Sequence, residues 1–84
     1  MKRVRKNDVP DVVIQLGTRI KTVIENKGLK KREVAYDAGM DVENLRKYMK
    51  GTQHMKISTL VRIAEALGMS ASELIENLPV KQEE

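Results

Sequence analysis

The side chains able to do chemistry crowd into one stretch, Lys31 to His54. Lys31, Arg32, Arg46, Lys47 and Lys50 supply positive charge, and Thr52, Gln53 and His54 add hydrogen-bonding groups just behind them. Cations and neutral donors of this kind hold phosphate groups and fix register without reading sequence. Among them stand Val42, Glu43, Asn44 and Lys47, which offer a methyl surface, an acceptor, an amide and a donor. Plainer accounts exist for each. Glu43 and Lys47 are spaced for a helix-surface ion pair contributing about 0.3 kcal/mol. Asn44 is placed to support a helix cap, Val42 reads as an ordinary exposed apolar residue, and His54 reads first as a solvated loop residue. Catalysis finds no foothold. One histidine, no cysteine, no glycine-rich phosphate loop and no inward carboxylate pair leave no catalytic constellation. The expectation is a protein that is not an enzyme and needs no metal or cofactor. Two tyrosines with no Phe or Trp also make a poor platform for stacking single-stranded RNA.

The elements that must position these groups follow from apolar spacing. Val34, Ala35, Ala38, Gly39, Met40, Leu45 and Tyr48 describe two short helices crossing tightly through a turn, the spacing of a helix-turn-helix. Ala35 lets the second helix of the pair approach the first. Gly39 supplies a left-handed turn that costs a residue with a Cβ about 1 kcal/mol or more. These helices are expected over 31–38 and 42–50, the latter with Asp41 as its N-cap. On a wheel with Leu45 inward, Asp41, Tyr48 and Met49 share the buried side. Glu43, Lys47 and Lys50 point nearly opposite, and Arg46 lies on one flank.

Three further helices complete the reading. The first runs from about Val9 to Lys27, with Asp8 or Asp11 as cap, Pro10 in the first turn, and Leu16, Ile20, Val23 and Ile24 inward. Its β-branched run Val12-Val13-Ile14 is equally compatible with extended chain. The fourth covers 58–67 with Leu60, Ile63, Ala64 and Leu67 inward. A capping box at Ser70-Ala71-Ser72-Glu73 opens the fifth, which carries Leu74, Ile75 and Leu78 and stops at Pro79. Gly28, Gly39, Gly51 and Gly68 each follow a helical segment, whereas Gly17 falls inside one, where another helix passing close would explain it.

Eighty-four residues make one small domain. It divides into a basic arm (1–8), the helical domain (9–78) and a C-terminal tail (79–84). Zero cysteines are compatible with a reducing cytoplasm, and no apolar run reaches membrane-spanning length. The N-terminus is basic but lacks the apolar stretch of a signal peptide. Net charge is +4, unevenly spread. Residues 1–56 carry 14 Lys/Arg against 7 Asp/Glu, while 57–84 carry 2 against 5. A basic half joined to an acidic one suits a polyanion held on one side.

Over about 60 residues, Leu16 to Ile75, the chain resembles the phage repressor/Cro-like helix-turn-helix family. The likeness rests on Leu16-Gly17-Thr18-Arg19-Ile20, Lys27-Gly28-Leu29, Val34-Ala35, Gly39-Met40, Leu45, Gly51, Leu60, Ala66-Leu67-Gly68-Met69-Ser70 and Glu73-Leu74, in order and at the right separations. It departs where that family has a serine cap and a phosphate-binding glutamine, here Lys30 and Lys31. It also departs where the family pairs a buried arginine with a glutamate, here Ile24 and Met49. Exchanging both partners of a buried ion pair for apolar residues is often neutral or stabilising. A proline common before the fourth helix is replaced by Met55, leaving that loop less constrained.

The resemblance implies an all-α, compact five-helix repressor-like DNA-binding domain, with the helix-turn-helix formed by the second and third helices. It implies a sequence-specific transcriptional regulator of double-stranded DNA with helix 42–50 in the major groove. Base contacts fall to Val42, Glu43 and Lys47, with Asn44 close by: Lys47 toward guanine, Glu43 toward cytosine, Val42 toward a thymine methyl, Asn44 toward adenine. Backbone contacts fall to Lys31, Arg32, Arg46, Lys50, Thr52, Gln53 and His54. Tyr36, outward beside Arg32, reads as a phosphate donor or as plain surface. Lys2, Arg3, Arg5 and Lys6 read as a minor-groove arm or as a basic tail. Homodimerisation is expected through Leu74, Ile75, Leu78 and Val80, which alternatively finish the core. The competing function is an antitoxin or protein-interaction module of the same fold, with the acidic C-terminal half engaging a protein partner.

Overall fold

A proline opens the first helix. In the computed structural model, which describes residues 9–78, Pro10 holds the N-cap position of α1 (Asp11–Lys27) at φ −61°, ψ 150°. Its carbonyl accepts from the Val13 N–H at 2.9 Å. Asp11 is therefore the first helical residue and does not cap, and Asp8 lies outside the described residues. The run Val12-Val13-Ile14 is helical, not extended. Intrinsic β preference is a few tenths of a kcal/mol per residue, which tertiary packing overrides.

α2 (Lys31–Asp37) and α3 (Val42–Lys50) follow, then α4 (Ile57–Ala66) and α5 (Ala71–Ile75). No helix among the described residues is long and apolar enough to cross a membrane. The core gathers Ile20 and Ile24 from α1, Val34 and Ala35 from α2, Leu45 and Met49 from α3, Ile63 and Ala64 from α4, and Leu74 from α5. Ile24 and Met49, the apolar pair anticipated in place of an ion pair, are both buried there. Met55 packs against this core from the loop before α4. Gly28, Gly39, Gly51 and Gly68 all adopt positive φ past helix ends.

Two expectations about the C-terminal region change. α4 starts one residue early, at Ile57, so Ile57 stands 78% exposed on its first turn. α5 ends at Ile75, because Glu76 is extended and Asn77 adopts φ 60°. Leu78 thus lies beyond the helix. The Leu74 and Glu76 carbonyls freed by this ending accept from Arg19 Nη1 of α1 at 3.1 and 3.0 Å. Lys27 Nζ likewise donates to Leu67 O past the end of α4, at 2.7 Å. Charged donors from α1 therefore satisfy carbonyls that two helix ends leave without intrahelical partners. The capping box forms as expected: Ser70 Oγ accepts from Glu73 N–H at 3.1 Å, and Ser70 N–H donates to Glu73 Oε1 at 2.8 Å. That second bond, from the Ser70 backbone, holds the Glu73 carboxyl below its ordinary pKa.

Candidate nucleic-acid interface

The turn between α2 and α3 sets the geometry of the site. Gly39 at φ 74° lets the Met40 N–H close back onto Ala35 O at 2.9 Å. That closure places α3 across α2, with Ala35 and Ala38 buried at the crossing. α3 is then locked from its other side by α1. A Cβ on Gly17 would lie 2.8 Å from Met49 O and closer still to Tyr48 O. Glycine is thus required mid-helix by the approach of α3's last turn. Gly51, at φ 72°, meets Ile14 of α1 in the same way: a Cβ there would sit 2.8 Å from the Ile14 Cα.

This double clamp leaves the outer side of α3 uncovered. Leu45 is fully buried and Met49 nearly so, with Tyr48 half-buried, while Glu43, Asn44, Arg46, Lys47 and Lys50 are exposed. Asp41 departs from the wheel: it is exposed, since the N-cap residue lies off the helical path. It occupies the N-cap position, but its side chain makes no cap hydrogen bond. Val42 is half-buried and packs against the core, so only part of its surface is open. The ion pair found here joins Glu43 to Arg46, Nη1 to Oε2 at 2.8 Å, and not to Lys47. Spacing i,i+3 serves as well as i,i+4 on a helix surface. With side chains 48% and 70% exposed, the pair contributes about 0.2–1 kcal/mol. Lys47 is left outward and free of that partner.

The basic candidates divide into groups. Lys31, Arg46 and Lys50 come together around one groove, joined by Thr18 and Lys21 of α1 and floored by Met49. Arg32 and Tyr36 are exposed on α2, with Tyr36 83% open. Thr52 faces back onto α3, its hydroxyl donating to Lys47 O at 3.1 Å. Gln53 is half-buried and His54 exposed in the following loop. Lys2, Arg3, Arg5 and Lys6 lie outside the described residues. Thr18 and Lys21 were not legible as site residues. The signal available was their i,i+3 spacing beside Gly17, the residue that brings α1 against α3.

A helix-turn-helix domain model matches residues 15–76, most of the chain. The chain belongs to the helix-turn-helix domain family. Solved structures agree with that membership. The restriction-modification controller protein C.AhdI from Aeromonas hydrophila is 25% identical, with a TM-score of 0.70 over 76% of this chain and 96% of that one. The clp gene regulator ClgR from C. glutamicum is 22% identical, with a TM-score of 0.74 over 80% of this chain and 87% of its own. The competence regulator ComR from Streptococcus vestibularis is 26% identical, with a TM-score of 0.72 over 86% of this chain but only 24% of its own. No curated protein matches in sequence. In this helix-turn-helix domain the two helices joined by the turn are α2 and α3, and α3 is the member with the uncovered face.

Proposed function

We propose that this helix-turn-helix domain is a sequence-specific regulator of transcription that docks α3 in the major groove of duplex DNA. The observation that carries the reading is the two-sidedness of α3. Its inner side is immobilised by Leu45, Met49 and the Gly17 contact, while Glu43, Asn44 and Lys47 project outward among Lys31, Arg46 and Lys50. A rigid helix with mixed donors and acceptors outward, flanked by cations, is what base reading beside a phosphate backbone requires. Lys47 donates to guanine O6 and N7, and Glu43, with Oε1 outside its Arg46 pair, accepts from cytosine N4. Asn44 and the open part of Val42 take secondary contacts. Lys31, Arg32, Arg46, Lys50, Gln53 and His54 hold the backbone. Thr52 contributes by holding the loop against α3, because its hydroxyl proton is already used. The described similarities to a controller protein, a gene regulator and a competence regulator support a regulatory role.

A single small domain binds DNA weakly, so the working form is a homodimer on two-fold-related half-sites about 34 Å apart. Leu74 is excluded from its surface, being fully buried in the monomer core. Ile75 is 43% exposed and Leu78 half-buried, and Val80 lies outside the described residues. Gel shift on random duplex DNA at two salt concentrations tests the reading. Binding is expected to fall steeply as salt rises, and selection from random duplexes to return a two-fold-related site. Binding insensitive to salt, or none at low salt, would reject it in favour of a protein-interaction module.

A further inference from the structure

The groove between α1, α2 and α3 has a composition that the fold alone does not demand. It measures about 550 Å³ and is lined by Thr18 and Lys21 of α1, Lys31 of α2, and Arg46, Met49 and Lys50 of α3. Four of the six lining residues are cations and none is a carboxylate. Among the described residues only Arg46 has an ion-pair partner, Glu43, which lies outside the groove. Like charges gathered from three helices repel one another, and an anion placed between them relieves that repulsion. The last turn of α3 accounts for Lys50 in another way, since cations there complement the helix dipole. It does not account for Lys21 and Lys31, which come from other helices. Met49 gives the groove an apolar floor, so an anion seated there is partly shielded from water on one side.

We propose that this groove seats a backbone phosphate of the bound duplex, with Lys21 and Thr18 of α1 as contacts in addition to Lys31, Arg46 and Lys50. The proposal rests on the reading of α3 as the groove-docking helix. Arg46 and Lys50 sit on the flank of that helix, so the groove lies beside its outward face, where a strand bordering the major groove passes. Lys21 supplies a point charge and Thr18 a hydroxyl donor from the opposite wall. The arrangement also ties backbone to base: Arg46 lines the phosphate groove while its Nη1 holds Glu43 Oε2, so one guanidinium faces both.

The test compares the full chain with Lys21→Gln and Thr18→Val on the duplex returned by selection, each variant first checked for an unchanged thermal melt. Arg62→Gln, an exposed charge on α4 that does not line the groove, controls for loss of general positive field. For K21Q the slope of log affinity against log salt is expected to fall by about 0.9, the share of one phosphate. Between about 50 and 200 mM salt this shrinks the affinity loss by about threefold. The change should be the same on all duplex sequences, and T18V should weaken binding without altering the slope. R62Q should leave the slope nearly unchanged. Wild type and K21Q with the same steep slope would overturn the phosphate site while leaving the DNA-binding reading standing. No salt-dependent duplex binding by wild type would overturn both. Titration with inorganic phosphate, followed by amide shifts, separates a free-anion site: saturation there with an unaltered K21Q slope would also overturn the proposal.

Discussion

Lys47 and Lys31 are both exposed lysines, yet they stand in different surroundings. Lys47 projects from the outer side of α3 without the Glu43 partner that spacing had offered it. Lys31 lines a groove of cations. Replacing Lys47 with alanine is therefore expected to cost about 1–3 kcal/mol on the best site and to relax one base position. Lys31→Ala should weaken all sequences alike, and competition binding against a panel of single-base variants separates the two outcomes. Gly17 makes a sharper prediction about the fold. Gly17→Ala gains about 1 kcal/mol of helix propensity but drives a methyl into the Tyr48 and Met49 carbonyls, which are backbone and cannot rotate away. Net destabilisation of about 1–3 kcal/mol is expected, read as a lowered Tm, together with weaker duplex binding because α3 is displaced. The close approach at Gly17 was legible as an anomaly, a glycine inside an apolar helix, but which helix approached was not.

Helix boundaries were legible where a specific residue enforces them and less so where tertiary contacts do. α3 begins and ends as spacing predicts, between Asp41 and Gly51. α5 begins at Ala71, behind the Ser70 cap, because the capping box is local chemistry, yet ends early, with Arg19 of α1 holding the carbonyls at its end. No local pattern contains a contact spanning 55 residues. The Ser70–Glu73 box also carries a pH dependence. The Ser70 backbone N–H lowers the Glu73 pKa from its ordinary value, so this stabilisation is fully present above that ordinary carboxylate range. It is lost as pH falls through the lower folded value. Glu73→Gln should flatten the stability profile of the domain between neutral and acid pH, as followed by urea melts. Ser70→Ala leaves that backbone N–H in place but removes the hydroxyl that accepts from the Glu73 N–H, and should cost about 1 kcal/mol near neutrality.

At the scale of the molecule, charge and surface decide how the domain works. The basic candidates Lys31, Arg46 and Lys50 cluster around one groove, and the acidic residues of 57–84 belong to the part of the chain beginning at α4. Dimer formation is the remaining whole-molecule expectation. Leu74 is fully buried in the monomer core, so a dimer must form without it. Sedimentation at micromolar concentration with a two-half-site duplex is expected to show two chains per duplex. Monomer alone, with and without that duplex, would rule the dimer out.

By itself the sequence determined the number of helices, the turn at Gly39 and the division of α3 into an inner and an outer side. Those features depend on periodicity and on backbone conformations that few residues tolerate. Only the tertiary structure decided which cations share a groove. It also decided that Leu74 closes the core rather than facing a partner. These outcomes depend on how α1 crosses α3 and where α5 stops, contacts between residues distant in the chain that no local spacing encodes. Lys21 and Lys31, ten positions apart on different helices, become neighbours of Arg46 and Lys50 for that reason.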